Sequence, residues 1–143
     1  MRAALEEAGA ALETGDVPVG AVILDGSGTV IARGRNRREA DRDPTAHAEI
    51  VAIRAAARSV GDWRLDGMTL VVTLEPCTMC AGAITAARLS RVVFGAADPR
   101  AGAVGSLWDV VRDQRLAPVP EVIGDVLANE GLNVIRRFFS ERR

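Results

Sequence analysis

TLVVTLEPCTMCAGAITAAR, residues 69–88, decides the fold. Thr69 to Leu74 is a short apolar run rich in β-branched residues, the pattern of a central strand buried on both faces. Thr78 to Arg88 is Ala-rich and predicts a helix, despite Gly82. Downstream, Arg91 to Phe94 reads as the next strand and Gly95 to Gly105 as a loop. Leu107 to Asp113 predicts a short helix, Val119 to Ile123 an edge strand beside Pro118 and Pro120, and Asp125 to Arg137 the last helix. Upstream, His47 to Ser59 predicts a helix stopped at Gly61, preceded by a polar stretch from Gly34 to Pro44. Val17 to Leu24 and Thr29 to Arg33 form a hairpin across Asp25-Gly26-Ser27-Gly28. Residues 2–14 form an amphipathic helix that Gly15-Asp16 ends. Strands alternating with helices after an initial hairpin predict an α/β layered fold with a mixed sheet.

The chain has 143 residues, 48% hydrophobic and 26% charged, which predicts a single globular domain over 1–143. That balance excludes a disordered chain, a collagen-like repeat and a disulfide-stapled miniprotein. A formal net charge of -1 excludes a global polycation that coats nucleic acid, although local basic patches remain open. All 18 basic residues are Arg, a bias that a high-GC genome also produces. Glu6, Glu7 and Glu13 interrupt the N-terminal segment, so no export signal is read, and no apolar run is long enough to span a bilayer. A cytoplasmic protein with reduced cysteines is expected, with no membrane partner.

The chain holds one His and two Cys, and they fall in two clusters. His47-Ala48-Glu49 opens one predicted helix. Pro76-Cys77-Thr78-Met79-Cys80 follows the central strand and opens another. A helix N-terminus favours a thiolate, because its free N–H groups and dipole attract negative charge. A lone His or a lone C-x-x-C is a weak signal; together they count to three ligands. Closed structural zinc sites use four protein ligands, whereas catalytic sites use three and leave a position for water. His47, Cys77 and Cys80 therefore predict an open zinc site, one Zn2+ per subunit. Glu49, two residues after His47, is the candidate proton shuttle for the water. Glu75 sits at a strand end, where it is expected to fix the loop by hydrogen bonding and not to act as a second acid.

His47-Ala48-Glu49 with Pro76-Cys77-Thr78-Met79-Cys80 matches the H-x-E…P-C-x-x-C signature of the zinc nucleobase deaminases. The flanking text, including Asp16-Val17-Pro18-Val19-Gly20-Ala21, Asp43-Pro44-Thr45-Ala46, Arg91-Val92-Val93-Phe94-Gly95-Ala96 and Gly105-Ser106-Leu107, resembles the bacterial tRNA-specific adenosine deaminases over nearly the whole chain. The resemblance implies a cytidine-deaminase-like three-layer sandwich, with a five-stranded mixed sheet and helices on both faces. It also implies a homodimer, and hydrolytic deamination of the wobble adenosine of a tRNA anticodon stem-loop to inosine. By the same resemblance Asn36 contacts the target base and Asp98 lies near its sugar. Phe138, Phe139, Arg142 and Arg143 sit near the flanking anticodon bases. Two departures are Ala97, where a larger residue is usual, and Asn129-Glu130-Gly131-Leu132, which puts a glycine inside a helix at a cost of about 1 kcal/mol relative to Ala.

Read from the residues alone, the two most basic segments, Arg33, Arg35, Arg37, Arg38 and Arg42 and then Arg136, Arg137, Arg142 and Arg143, fit phosphate contact and plain solvated loops equally; with the resemblance they are expected to grip RNA. Of Phe138 and Phe139, one ring is expected in the core and one against a base. Trp63 and Trp108 are expected to pack, with Trp108 in a segment able to reach a partner subunit. Two other functions fit the same residues: a free-base or nucleoside deaminase acting on guanine or cytosine, and a zinc-stabilised RNA-binding module without turnover.

Overall fold

A computed structural model describes residues 1–143. The strands are β1 (Gly20–Leu24), β2 (Val30–Arg35), β3 (Thr69–Leu74), β4 (Arg91–Ala96) and β5 (Glu121–Ile123). The helices are α1 (Arg2–Ala11), continued by a 3-10 turn over Leu12–Thr14, α2 (Arg38–Asp41), α3 (Ala48–Val60), α4 (Thr78–Ala86) and α5 (Ala128–Ser140). The sheet order is β2-β1-β3-β4-β5. β1 runs antiparallel to β2 and β3, while β3, β4 and β5 are parallel, so the sheet is mixed and five-stranded as expected. No helix is long and apolar enough to cross a membrane.

Alternation along β1 sorts the layers. Val22 packs with Ala4 of α1, while Ala21 and Ile23 join Ala48, Ala52 and Ala56 of α3 and Ile84 of α4 in the main core. Both helices nearest β1 and β2 bury alanines at four-residue spacing: Ala4 and Ala8 in α1, and Ala48, Ala52 and Ala56 in α3. Small side chains on the helix, facing glycine on the strand, bring backbone onto backbone. A Cβ on Gly20 would collide with the Ala4 carbonyl and the Ala8 amide, and one on Gly34 with the Ala48 carbonyl and the Ala52 amide. Gly34→Ala is therefore expected to cost about 1–3 kcal/mol by overpacking, seen as a lower urea midpoint at unchanged slope.

Gly131 has a similar reason to be a glycine. A Cβ there would stand 3.0 Å from the Thr73 carbonyl, so the helix interior gives up propensity for a close approach to the end of β3.

The structure corrects several expectations. Residues 107–113 are not helical: Leu107 N and Trp108 N both donate to Gly102 O, and Val110 N donates to Ala103 O, folding the segment back on 102–104. Val111 is buried as its anchor, but Trp108 is 61% exposed and Trp63 is 55% exposed, so neither tryptophan packs in the core. Trp63 instead carries the Arg64 guanidinium 4.3 Å over its ring. Val17 to Val19 stay outside β1, because Pro18 lacks a donor and Val19 N turns back to Val17 O. β2 runs two residues longer than expected, to Arg35, and the polar stretch after it contains α2. The last helix starts at Ala128, after Asp125 and Leu127 adopt left-handed backbone, and runs through both phenylalanines to Ser140.

Candidate active site

Both motifs sit at helix N-termini at the carboxyl end of β3. His47 immediately precedes α3 and Glu49 lies in its first turn; Cys77 immediately precedes α4 and Cys80 lies in its first turn. The chain adopts this arrangement because β3 ends at Leu74 and Pro76 cannot continue a ladder, so Cys77 stays extended before α4 begins. The parallel strands β3 and β4 leave a crevice beyond their carboxyl ends, where α/β sheets bind ligands.

His47 Nδ1 lies 3.6 Å from Cys77 Sγ and 3.5 Å from Cys80 Sγ. The three donor atoms all lie within 4.8 Å of one another. Tetrahedral bonds of about 2.3 Å to sulfur and about 2.0 Å to nitrogen place such atoms about 3.5 Å apart. The spacing therefore fits zinc, and an imidazole with two thiols is a zinc-type donor set. The Cys77 thiol is pulled down to about 3, first by the hydrogen bond from Cys80 and also by His47. The same bond, with burial, pushes the Cys80 thiol up, and the bond to Cys77 raises His47. Zinc binding would require both thiols in their deprotonated form.

A pocket of about 160 Å³ opens onto this cluster. Glu49 lines it and is 4% exposed, and burial pushes its carboxyl above the usual range against the pull of its own N–H and His47. Val17, Val19 and Leu74 give the pocket apolar walls, while Asn36, Arg38 and Asp98 give it polar ones. Asn36 is fixed from both ends of its amide: Nδ2 donates to Val17 O at 3.2 Å, and Oδ1 accepts from Arg38 N at 3.1 Å. One N–H of that amide remains for a ligand. Asp98 is held by Arg100 N and Ala101 N, which donate to its Oδ1.

Glu75 also borders the pocket, and its hydrogen bonds are those of a loop clamp. Ser106 Oγ donates to Oε1 at 2.6 Å, and Ser106 N and Val104 N donate to Oε2.

A second, more open groove of about 580 Å³ shares Val17, Asn36 and Arg38 with the first. Its far edge carries Phe138, Phe139 and Arg142. Phe138 is buried, Phe139 is 49% exposed, and the Arg142 guanidinium stacks 4.0 Å over the Phe138 ring. The two rings meet edge to face at 5.2 Å, one in the core and one open to a ligand.

The basic stretch expected to grip RNA is mostly neutralised. Arg33 and Arg35 pair with Glu6 and Glu7 of α1, and Arg37 pairs with Asp41 through two hydrogen bonds. Arg38 and Arg42 have no acidic partner within salt-bridge distance. Sequence reading also gave no role to Val17 or Ala101, which line the pocket without any chemical signature.

Residues 1–96 match the family described as the cytidine and deoxycytidylate deaminase zinc-binding region. The chain is similar to a tRNA-specific adenosine deaminase of Bacillus subtilis, 45% identical over all of this chain and 88% of the relative. It is also similar to one of Haemophilus influenzae, 47% identical over all of this chain and 83% of the relative. Among solved structures it resembles one from work on A-to-I editing by tRNA:A34 deaminases at the wobble position of transfer RNA. The TM-score is 0.89 at 45% identity, covering 94% of this chain and 96% of that one.

Proposed function

The chain belongs to the cytidine and deoxycytidylate deaminase family, and we propose that residues 1–143 act as one unit that deaminates the wobble adenosine of a tRNA anticodon to inosine. One observation carries this reading: a pocket lined by His47, Glu49 and Cys77 shares walls with a groove edged by an exposed aromatic ring and an arginine. A base lifted from its stack fits the first, and the neighbouring nucleotides fit the second.

His47, Cys77 and Cys80 would hold a zinc ion, which when bound would supply the Lewis acidity that makes water a nucleophile near neutral pH. Glu49 takes a proton from the attacking water and passes it to ring nitrogen N1 as the C6–O bond forms. It then carries the second water proton to the leaving N6, and the C6–N6 bond breaks with release of ammonia. Water and adenosine thus give inosine and ammonia, with Glu49 restored. The free Asn36 N–H holds the base edge, Asp98 faces the sugar, and the apolar walls exclude bulk water.

Phe139 stacks on a flanking base, and Arg142 meets a phosphate. Phe139→Ala is expected to cost about 1–3 kcal/mol in affinity for an anticodon stem-loop. Arg142→Ala is expected to lower the steepness of the log K against log salt plot by about 0.7–0.9, one phosphate contact. Titrations at several salt concentrations check both.

The same reading takes the protein as a cytoplasmic homodimer. The exposed Leu107 and Trp108 support this as apolar surface for a second copy to cover. Sedimentation at micromolar concentration tests it. The deciding experiment for the activity offers the protein an anticodon stem-loop with adenosine at the wobble position, and separately free guanine and cytosine. Inosine in the stem-loop with little ammonia from the free bases is expected; the reverse preference overturns the reading.

A further inference from the structure

Asp16 is 1% exposed and has no cationic partner within salt-bridge distance. Its carboxylate instead accepts three hydrogen bonds. Glu39 N donates to Oδ1 at 2.7 Å, Ala40 N donates to Oδ2 at 3.3 Å, and the Thr14 hydroxyl donates to Oδ2 at 2.6 Å. Glu39 and Ala40 lie in the first turn of α2, whose own preceding residue, Arg37, makes no side-chain cap. A carboxylate from more than twenty residues upstream thus caps this helix across the fold.

The cap has a place in the site. α2 follows directly on Asn36 and contains Arg38, the two polar residues shared by the pocket and the groove. Asn36 N is tied to Val19 O and Asn36 Nδ2 to Val17 O, so residues 16–19 hold residues 36–40 by both ends. Gly15, next to Asp16, accepts from Arg142 through its carbonyl at 3.3 Å. Asp16 therefore lies where the tail of α5 meets the rim formed by α2.

We propose that Asp16 is a positioning residue that fixes the Asn36–Arg38 rim for the nucleotide entering the pocket, an inference that rests on the RNA deaminase reading. Asp16 hydrogen-bonds to none of His47, Glu49, Cys77 or Cys80. Those four stand at the N-terminal ends of α3 and α4, and α3 is seated on Gly34 of β2 independently of the cap. Loss of the cap thus loosens the grip on substrate and leaves the bond-breaking machinery in place.

The test compares wild type with Asp16→Ala and Asp16→Asn on an anticodon stem-loop, with zinc content measured on the same samples. Asp16→Ala is expected to raise KM roughly tenfold with kcat within about twofold, the split expected for lost binding and retained chemistry. Asp16→Asn keeps one acceptor oxygen for Glu39 N and is expected to fall between, at roughly threefold. Amide hydrogen exchange supplies a readout without turnover: the Glu39 and Ala40 amides should exchange at least about tenfold faster in Asp16→Ala. An unchanged KM, a fall in kcat with KM constant, or unaltered exchange at Glu39 and Ala40 overturns the proposal. If Asp16→Ala fails to hold zinc, the role is general to the fold and the proposal is also overturned, unless Asp16→Asn holds zinc and shows the KM rise. Wild type that does not act on the stem-loop removes the deaminase reading instead, and amide exchange then still decides whether Asp16 holds α2.

Discussion

Glu49→Gln is expected to lower kcat by about 10⁴-fold or more while the protein keeps its zinc and its fold. The substitution keeps the shape of the side chain and removes its ability to carry a proton. Glu49 is not one of the three clustered donor atoms, so metal content should not change. It is buried at the pocket wall. A typical general acid or base contributes about 10²–10⁴-fold, and in the proposed reaction one carboxyl serves both the attack and the departure of ammonia, which argues for the upper end. Single-turnover deamination of a stem-loop, with metal analysis of the same preparation, checks the result. A variant with near-wild-type turnover would remove Glu49 from the chemistry.

The second large effect concerns the metal. Wild-type protein should carry about one zinc per chain, and Cys77→Ser, Cys80→Ser or His47→Ala should carry well under a tenth of that, with lost activity. Stability should fall by on the order of 5 kcal/mol, a share of the roughly 10–16 kcal/mol that zinc binding supplies in small zinc domains. Chelation offers the control. A strong chelator should bring the wild-type melting temperature down to that of the ligand variants and leave theirs unchanged, because one interaction is removed only once. A wild-type protein that is metal-free and stable after preparation without chelator would sink the site.

What could be read in the sequence followed the strength of local pattern. β3 was legible because it is apolar on both faces and only a central strand tolerates that. His47, Cys77 and Cys80 were legible because the chain has no other His or Cys to confuse the count. The segment 107–113 was misread as helix because its folding is set by the Gly102 and Ala103 carbonyls, partners that no periodicity reveals. Trp63 and Trp108 were misplaced because bulk and hydrophobicity favour burial only where a wall is available, and the described chain provides none for them. The cluster of arginines at 33–37 looked like a basic patch in one dimension. In three, α1 lays Glu6 and Glu7 beside Arg33 and Arg35. Asp16 looked like the end of a helix, and its caps lie across the fold at residues a linear reading does not connect.

The seat of α3 on Gly34 separates what this protein can vary from what it cannot. At Gly34 backbone rests on backbone, with no side chain between to absorb a change, so the positions of His47 and Glu49 are rigidly inherited. Two residues later the chain leaves the sheet at Asn36, and from Arg38 to Arg42 it carries exposed charges on a rim of its own. Arg42 lies outside the pocket that Arg38 shares with His47 and Glu49, so substitution at Arg42 is expected to alter the grip on substrate without reaching that pocket. A library randomised at Arg42 therefore samples substrate preference on a constant chemical background, and its members should scatter far more in KM than in kcat. The same strand that locks the chemistry thus leaves selectivity free to evolve.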